Sequence, residues 1–490
     1  MRVFKTVIVA VLLLALLLVG VLAYRTANYR LPASAENSSL KLVELPEFDS
    51  KRAALHLAEA VRIKTISHEN PAEDEPQKWL ELHEWLQNTY PISHALMQRR
   101  ILADRSLLFT WKGRNSALKP FILMAHQDVV PVKSGTEKEW THAPFSGDIK
   151  ESAVWGRGAI DDKGSLVALF EALESLSRID FVPERSIYIV CGHDEETVGS
   201  GARAVAAYLK SQNVHAEFIL DEGMQIISNH PITNSKVALI GIAEKGFGTL
   251  KITASTEGGH SSMPPVENAV VFLSRAILSI VSHPYAMHYD GPTAEMLRAL
   301  APYSSLPIRI AVANDWLFAP LLVSEIAASP AGRAMLQTTI APTMLEASPK
   351  ENVLPASASG WINYRIGPHE NSESIMAHSR QALGSLPVKL EWSRKPDEAT
   401  RISSSSSRAW KILAALALDT AKAPVAPSLF IGGSDSRYLQ DLADDTYRFQ
   451  AITSSLDELK MIHGTNEHLS LKNLEQLTRF YASLIVCAAK

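Results

Sequence analysis

Several short stretches of this chain carry residues able to bind a metal or move a proton, and most follow an apolar run. Phe121-Ile-Leu-Met-Ala125 leads into His126-Gln-Asp128, and the turn Gly156-Arg-Gly-Ala-Ile leads into Asp161-Asp162-Lys-Gly164. The run Ile187 to Cys191 leads into His193-Asp-Glu195-Glu196, and Phe218-Ile-Leu220 leads into Asp221-Glu-Gly223. His463-Gly-Thr-Asn-Glu467 follows near the C-terminus. Together these stretches offer imidazole nitrogens and carboxylate oxygens but no thiolate. That mixture suits Zn²⁺, whereas an all-oxygen set would favour Mg²⁺ or Ca²⁺. Five ligands would be too few for two separate closed sites, but enough for two ions if one carboxylate bridges them. Each motif alone is weak. Adjacent carboxylates also occur on solvated faces, and His193 or Asp194 reads equally well as a satisfied loop residue. Order, placement and completeness carry the reading.

The elements that must position these groups are legible as alternating patterns. The apolar runs at Phe121, Ile187 and Phe218 read as buried strands, with helices over Ser165 to Leu176 and Gly201 to Lys210 between them. Such alternation predicts an α/β fold with a mostly parallel central sheet. In an open sheet of that kind, ligands bind beyond the carboxyl ends of the strands, where these ionisable groups stand. A helix is expected from Phe48, with Leu55, Ala58, Val61 and Ile63 as its apolar positions. From Gly246 the pattern changes. Thr249 to Ser255 and Gly360 to Arg365 alternate like strands with one wet face, Ser374 to Leu383 looks helical, and Val388 to Trp392 looks like another strand. We expect an inserted α+β lid domain with an antiparallel sheet over 246–398, carrying a helical insertion at about 268–340. The catalytic domain would occupy 47–245 and 399–490, with Ser403 to Ser407 near the return.

The bulk properties narrow the class. A chain of 490 residues is longer than one compact core usually holds. A net charge of −4 without a basic stripe gives no reason to expect nucleic acid as a partner. Cys191 and Cys487 are far apart, and Cys191 follows an apolar run, so a buried free thiol is expected rather than a disulfide. Val7 to Ala23 is an unbroken apolar run behind Arg2 and Lys5, at the short end of what spans a bilayer. Val21-Leu22-Ala23 is a poor cleavage site. Residues 1–24 are therefore expected to be an uncleaved signal-anchor, with a cleaved signal peptide and secretion as the alternative. Arg25 and Arg30 blur the positive-inside argument, but the catalytic part is placed outside the cytoplasm. Residues 25–46 read as a tether.

With these motifs in order, the chain resembles the dinuclear zinc peptidases that include carboxypeptidase S, aminoacylase, the glutamate carboxypeptidase of bacteria and carnosinase. The resemblance runs from about residue 48 to the end. It rests on His126-Gln-Asp-Val-Val-Pro131, Gly156-Arg-Gly-Ala-Ile-Asp-Asp-Lys-Gly164, Asp194-Glu-Glu196 and Gly258-Gly-His-Ser-Ser262. His193 to Gly201 and Gly258 to Pro265 look closest to the carboxypeptidase S branch, which includes secreted N-fatty-acyl amino acid hydrolases. The resemblance implies two Zn²⁺ per subunit, with Asp161 bridging, Asp221 beside His126 and Glu196 beside His463. Asp128 would orient His126, Glu195 would be the general base, and Asp162 would help to hold the turn that aims Asp161. His260 in the lid would donate to the oxyanion. Arg365, with Asn352 and the loop bearing Gly433 and Ser434, would hold a substrate carboxylate. In several relatives the lid dimerises and lends its histidine to the neighbouring site, so a homodimer is a further expectation.

The implied activity is hydrolysis of an amide bond beside a free α-carboxylate, releasing an amino acid from an N-acyl amino acid or short peptide. A metal-free, membrane-tethered binding protein on the same fold would be expected to lose ligands or the base. An aminopeptidase would need an acidic anchor for a substrate amine, which Arg365 argues against. The apolar insertion, with Val270 to Leu273, Trp316 to Phe318 and Leu321 to Val323, is expected to form a wall that accepts an acyl chain.

Overall fold

In the computed structural model, residues 2–31 and 45–490 are described. A ten-stranded sheet forms the larger body. Its middle strands, Ile187–Gly192, Phe121–His126, Ala216–Asp221 and Ala443–Arg448, run parallel to their neighbours in that order. Each residue of Phe121–His126 is buried, as a strand covered on both faces requires, and this is why its sequence is a continuous apolar run rather than an alternating one. An antiparallel hairpin, Gln98–Leu102 with Ser106–Trp111, closes one edge. Towards the other edge stand Ser235–Glu244, Ile226–His230 and Thr453–Ser454, with Val425–Phe430 pairing parallel to Ser235–Glu244. The sheet is thus mixed but mostly parallel.

Helix Lys163–Arg178 is buried from Lys163 through Ser177, because it packs beneath the C-terminal helix Leu471–Ala488 and beside helix Ser50–Arg62. In Ser50–Arg62, Asp49 caps the N-terminus by accepting from the N–H groups of Lys51 and Arg52. Its buried stripe is Ala54, Leu57, Ala58 and Val61, so Leu55 faces solvent, contrary to expectation. The apolar seam runs through the neighbouring position, about 100° around the helix.

A separate four-stranded antiparallel sheet has the order Thr339–Glu346, Ser357–Ile366, Gly246–Ser255, Val388–Trp392. Along Gly246–Ser255 buried and half-buried residues alternate, the signature of one dry and one wet face. Helices Ala269–Val281 and Ser372–Leu383 cover the dry face, where Leu250, Ile252, Ile362 and Tyr364 meet Leu273, Ile280 and Ile375. The first helix starts at Asn268, whose side chain accepts from Val270 N and Val271 N, and the second starts at an Asn371–Ser374 capping box.

The expected helical insertion is divided in its packing. Its first helix joins the small sheet. Helices Gly291–Leu300, Leu306–Ala313 and Asp315–Ile326 instead pack on the large one, through Met296, Leu297, Leu300, Val312 and Leu322 against Ile227, Leu239 and Ala426. At the N-terminus a helix runs from Arg2 to Ala27, and its 26 residues give a length of about 39 Å at 1.5 Å per residue. That exceeds the ~30 Å hydrocarbon core of a bilayer, and the helix is long and apolar enough to cross one. It continues three residues past the boundary expected at 24. Most of the expected tether, residues 32–44, lies outside the described residues. Both cysteines are free and buried.

Candidate active site

The strand ends deliver their ionisable groups to one place. His126, the last residue of its strand, sets Nε2 at 2.9 Å from Asp161 Oδ1. From the other side, His463 Nε2 lies 3.1 Å from Asp161 Oδ2 and 2.9 Å from Glu196 Oε2. Asp161 therefore turns one carboxylate oxygen to each of two histidines. The donor atoms of His126, Asp161 and Glu196 lie within 4.8 Å of one another. Asp221 ends its own strand, buried, and accepts from Ser436 N (2.8 Å) and Glu222 N (3.0 Å). His463 holds a left-handed backbone, φ 60°, a conformation costing a non-glycine residue about 1–2 kcal/mol and sustained here by the loop around it.

The support beneath these groups is buried and well bonded. His126 Nδ1 lies 3.0 Å from the backbone carbonyl of Asp128 and 3.3 Å from its Oδ1, which accepts from Glu195 N at 3.2 Å, while Oδ2 accepts from Glu196 N at 3.2 Å. Asp128 thus meets the imidazole with carbonyl and carboxylate together, and its carboxylate also ties down the turn that carries Glu195 and Glu196. Ser67, which carried no signal in the sequence, donates its hydroxyl to Asp128 Oδ2. Asp162 accepts from His126 N and from Gln450 Nε2, and so does hold the turn beside Asp161; the Asp161–Asp162 peptide bond is cis. Glu467, four residues after His463, accepts from Arg157 Nη1 at 2.6 Å and from the N–H groups of Gly158, Ile160 and Asp161. His193 and Asp194 are satisfied loop residues. The former bonds Ser106 Oγ, and the latter accepts from Ser200 N and Gly201 N at the start of a helix.

The electrostatics tell what the donor set fits. Burial pushes Glu195 well above the usual carboxylate range, His126 opposing and Glu196 adding to the rise. Burial and the charge of Asp161 raise Glu196 to about 7. Glu222 and Asp435 are pushed well up too, by burial first and then by Asp161 and Asp221 respectively. Against burial, the contacts with Asp128 and Asp161 raise His126, and those with Asp161 and Glu196 raise His463 to about 10. Asp435 Oδ2 is buried and has no hydrogen-bond partner among the described residues. It reaches the site because residue 192 is glycine, where a Cβ would stand 2.0 Å from that oxygen. Buried carboxyls in such excess, mixed with imidazole nitrogens, make a donor set that fits a metal cation.

Asp161, Glu195, Glu196 and His463 line a cavity of about 410 Å³. Arg365, Arg394 and Arg437 line it as well, with Gly433 and Ser434. Arg437 is committed to Glu244 and Lys245, and the Ser434 hydroxyl donates to Glu244. Arg365 and Arg394 have no carboxylate partner among the described residues; both guanidiniums lie about 5 Å from the ring of Phe247. Arg394 was not singled out from the sequence, since a basic residue in a polar loop carries no pattern. His260 and Asn352 do not line this cavity. They sit together on a small two-stranded ribbon, where His260 pairs with Val353, Ser261 N bonds Asn352 O, and His260 Nδ1 meets Ser262. Nor do the apolar residues of the insertion line it, so they form no wall for an acyl chain here. Leu273 belongs to the small sheet's core, and Trp316, Leu317 and Leu321 face outward.

Comparison with known proteins agrees with this geometry. Residues 122–486 match the family model described as peptidase family M20/M25/M40. The chain is 36% identical over 444 residues to the Dictyostelium discoideum protein named Probable carboxypeptidase S-like 2, covering 88% of this chain and 84% of that one. It is 34% identical over 491 residues to the N-fatty-acyl-amino acid synthase/hydrolase PM20D1 of Xenopus tropicalis, covering 98% and 94%. Its fold matches an M20 family metallo-carboxypeptidase of Sulfolobus solfataricus with a TM-score of 0.68 at 16% identity, over 89% of this chain and 99% of that one. The chain belongs to the peptidase family M20/M25/M40 and is a metal-dependent hydrolase of that family.

Proposed function

We propose that this enzyme holds two Zn²⁺ ions and hydrolyses the amide bond of N-acyl amino acids or short peptides that end in a free α-carboxylate. The observation that carries the reading is the placement of Asp161, one oxygen towards His126 and the other towards His463, in a cavity also lined by two arginines that have no carboxylate partner among the described residues. His126, Asp161 and Asp221 would hold one ion, and His463, Glu196 and Asp161 the other. When bound, the metal supplies Lewis acidity that activates a water and polarises the scissile carbonyl. Glu195, in the same cavity, takes the proton from the attacking water and hands it to the leaving amine. Arg365, joined by Arg394, receives the substrate carboxylate through planar, paired N–H donors. Gly433 offers its backbone N–H nearby. His260 supplies the oxyanion donor, and Asn352 beside it joins Arg365 on the carboxylate, once the lid over residues 246–398 closes or a second copy brings them in.

The names of the relatives support a substrate carrying an acyl or peptidyl group on an amino acid. The N-terminal helix, long and apolar enough to cross a membrane, supports an anchor or signal helix; of these the reading takes the uncleaved anchor, with the catalytic part outside the cytoplasm. The test is release of free amino acid from a panel of N-acyl amino acids and dipeptides by the full chain, with zinc, after chelation, and in Glu195→Gln. Zinc-dependent turnover lost in the variant is expected. Two tightly bound zinc ions without turnover would overturn the substrate class, and a chain that binds no zinc would overturn the whole reading.

A further inference from the structure

The apolar residues of the insertion that miss the cavity form an outward face of their own. Trp316 is 57% exposed and Leu321 58%, with Leu317 beside them. Trp316, Leu317, Pro320 and Leu321 recur at helical spacing, so they share one side of helix Asp315–Ile326, while Leu322 is buried on the other. No charged residue stands on that side between Trp316 and Ser324. Contiguous exposed apolar side chains of this size are unfavourable in water and mark a contact surface.

What lies beside the face says what covers it. The last turns of the N-terminal helix are bonded to the joint between helices Leu306–Ala313 and Asp315–Ile326. The buried Asn314 places Nδ2 within 3.4 Å of Leu22 O and 3.3 Å of Thr26 Oγ1. Arg25 Nε donates to Ala313 O at 3.1 Å, and Tyr29 OH to Arg298 O at 2.8 Å. The unbroken apolar run Val7 to Ala23 stands behind Arg2 and Lys5, so the helix leaves the hydrocarbon core near Ala23. Tyr24, Arg25, Tyr29 and Arg30 then sit at headgroup depth, where aromatic and basic side chains gather. The joint at Asn314 is held at the same level.

We propose that the face formed by Trp316, Leu317, Pro320 and Leu321 lies in the interface of the bilayer that the N-terminal helix spans. The chain would then grip the membrane at two points, by a crossing and by a helix lying in the surface. This rests on the anchor reading above, but on nothing in the catalytic reading. One contact alone would let the body swivel about a single helix, whereas two hold a constant side of the enzyme to the lipid.

Both native cysteines are buried, so Leu317→Cys and Leu321→Cys can be labelled selectively in the full chain with a polarity-sensitive fluorophore. Ile179→Cys, at an exposed site on the large body, serves as the control. Each labelled chain is reconstituted in phosphatidylcholine–phosphatidylglycerol vesicles containing lipid with a quencher near the headgroup. We expect loss of fluorescence at positions 317 and 321 and none at 179, with the chain retained on the vesicles after an alkaline wash. A retained chain whose 317 and 321 labels are quenched only by aqueous iodide would overturn the proposal while leaving the anchor intact. Labels shielded from both quenchers would mean that a second copy covers the face, and would overturn it too. A chain released by the wash would overturn the anchor and the proposal together.

Discussion

Asp128 is gripped by Ser67, by His126 and by the backbone N–H groups of Glu195 and Glu196, whereas among the described residues the His260 ring bonds only to Ser262, two residues further along the chain. The first region sits at the ends of buried parallel strands, and its geometry is settled when the chain folds. The second sits in solvent on a two-stranded ribbon of the small sheet's unit. Pre-placing a base beside a metal site lowers the barrier only if its position costs nothing at the moment of reaction. A donor needed only for the transition state can wait on a surface until closure brings it in. The comparison therefore separates a region fixed by buried bonds from one held in solvent by a single side-chain partner.

The largest effect is expected where the geometry is settled. Glu195→Gln should lower kcat about 10²–10⁴-fold, the span of general base catalysis, with metal content by atomic absorption unchanged. A variant that kept its rate would move the base elsewhere. Next, Glu467→Ala leaves Arg157 buried without its partner. A stability loss of about 3–5 kcal/mol in denaturant melts is expected, with metal lost as the loop of Asp161 relaxes. His260→Ala should cost about 10²–10³ in kcat, the usual loss for one oxyanion donor, without a change in Tm, because the ring supports nothing else. Mixing that variant with Glu195→Gln would show whether the donor acts across two copies, since only then would activity return. Arg365→Ala should raise KM by about tenfold or more at little cost to kcat, consistent with about 1.5–3 kcal/mol for hydrogen bonds to a charged group. Smallest is Asn268→Ala, which removes a helix cap from the small sheet's unit and should lower stability by about 1 kcal/mol in melts.

Much of the first region was legible because buried parallel strands must be apolar throughout. Their ends therefore stand out wherever an ionisable residue follows, as at His126, Glu195 and Asp221. Of the supporting residues, Asp128 and Asp162 stood out beside their motifs, whereas Ser67 and Asp435 did not. Each is one polar residue among polar neighbours, and its role comes from contacts distant in sequence. The strand Ala443–Arg448 reads Ala-Asp-Asp-Thr-Tyr-Arg, and becomes a strand because Ala216–Asp221 offers it a ladder rather than through any pattern of its own. The alternation in Gly246–Ser255 survived because that sheet has one wet face. The insertion showed its helices but not their allegiance, since apolar faces do not say which of two sheets they meet.

That divided allegiance has a mechanical consequence. The backbone passes between the large-sheet and small-sheet packings near Lys245–Gly246, again between Val281 and Gly291, again near Gln337–Thr339, and finally between Trp392 and Thr400. Lys245 Nζ stitches two of these passages together by donating to Ala334 O and Gln337 O. A body slung from one pair of strands can twist and tilt, but one threaded through four passages keeps few degrees of freedom. The small sheet is thus tied to the large one at four points rather than slung from one pair of strands, so any displacement of His260 would have to be shared by all four connections.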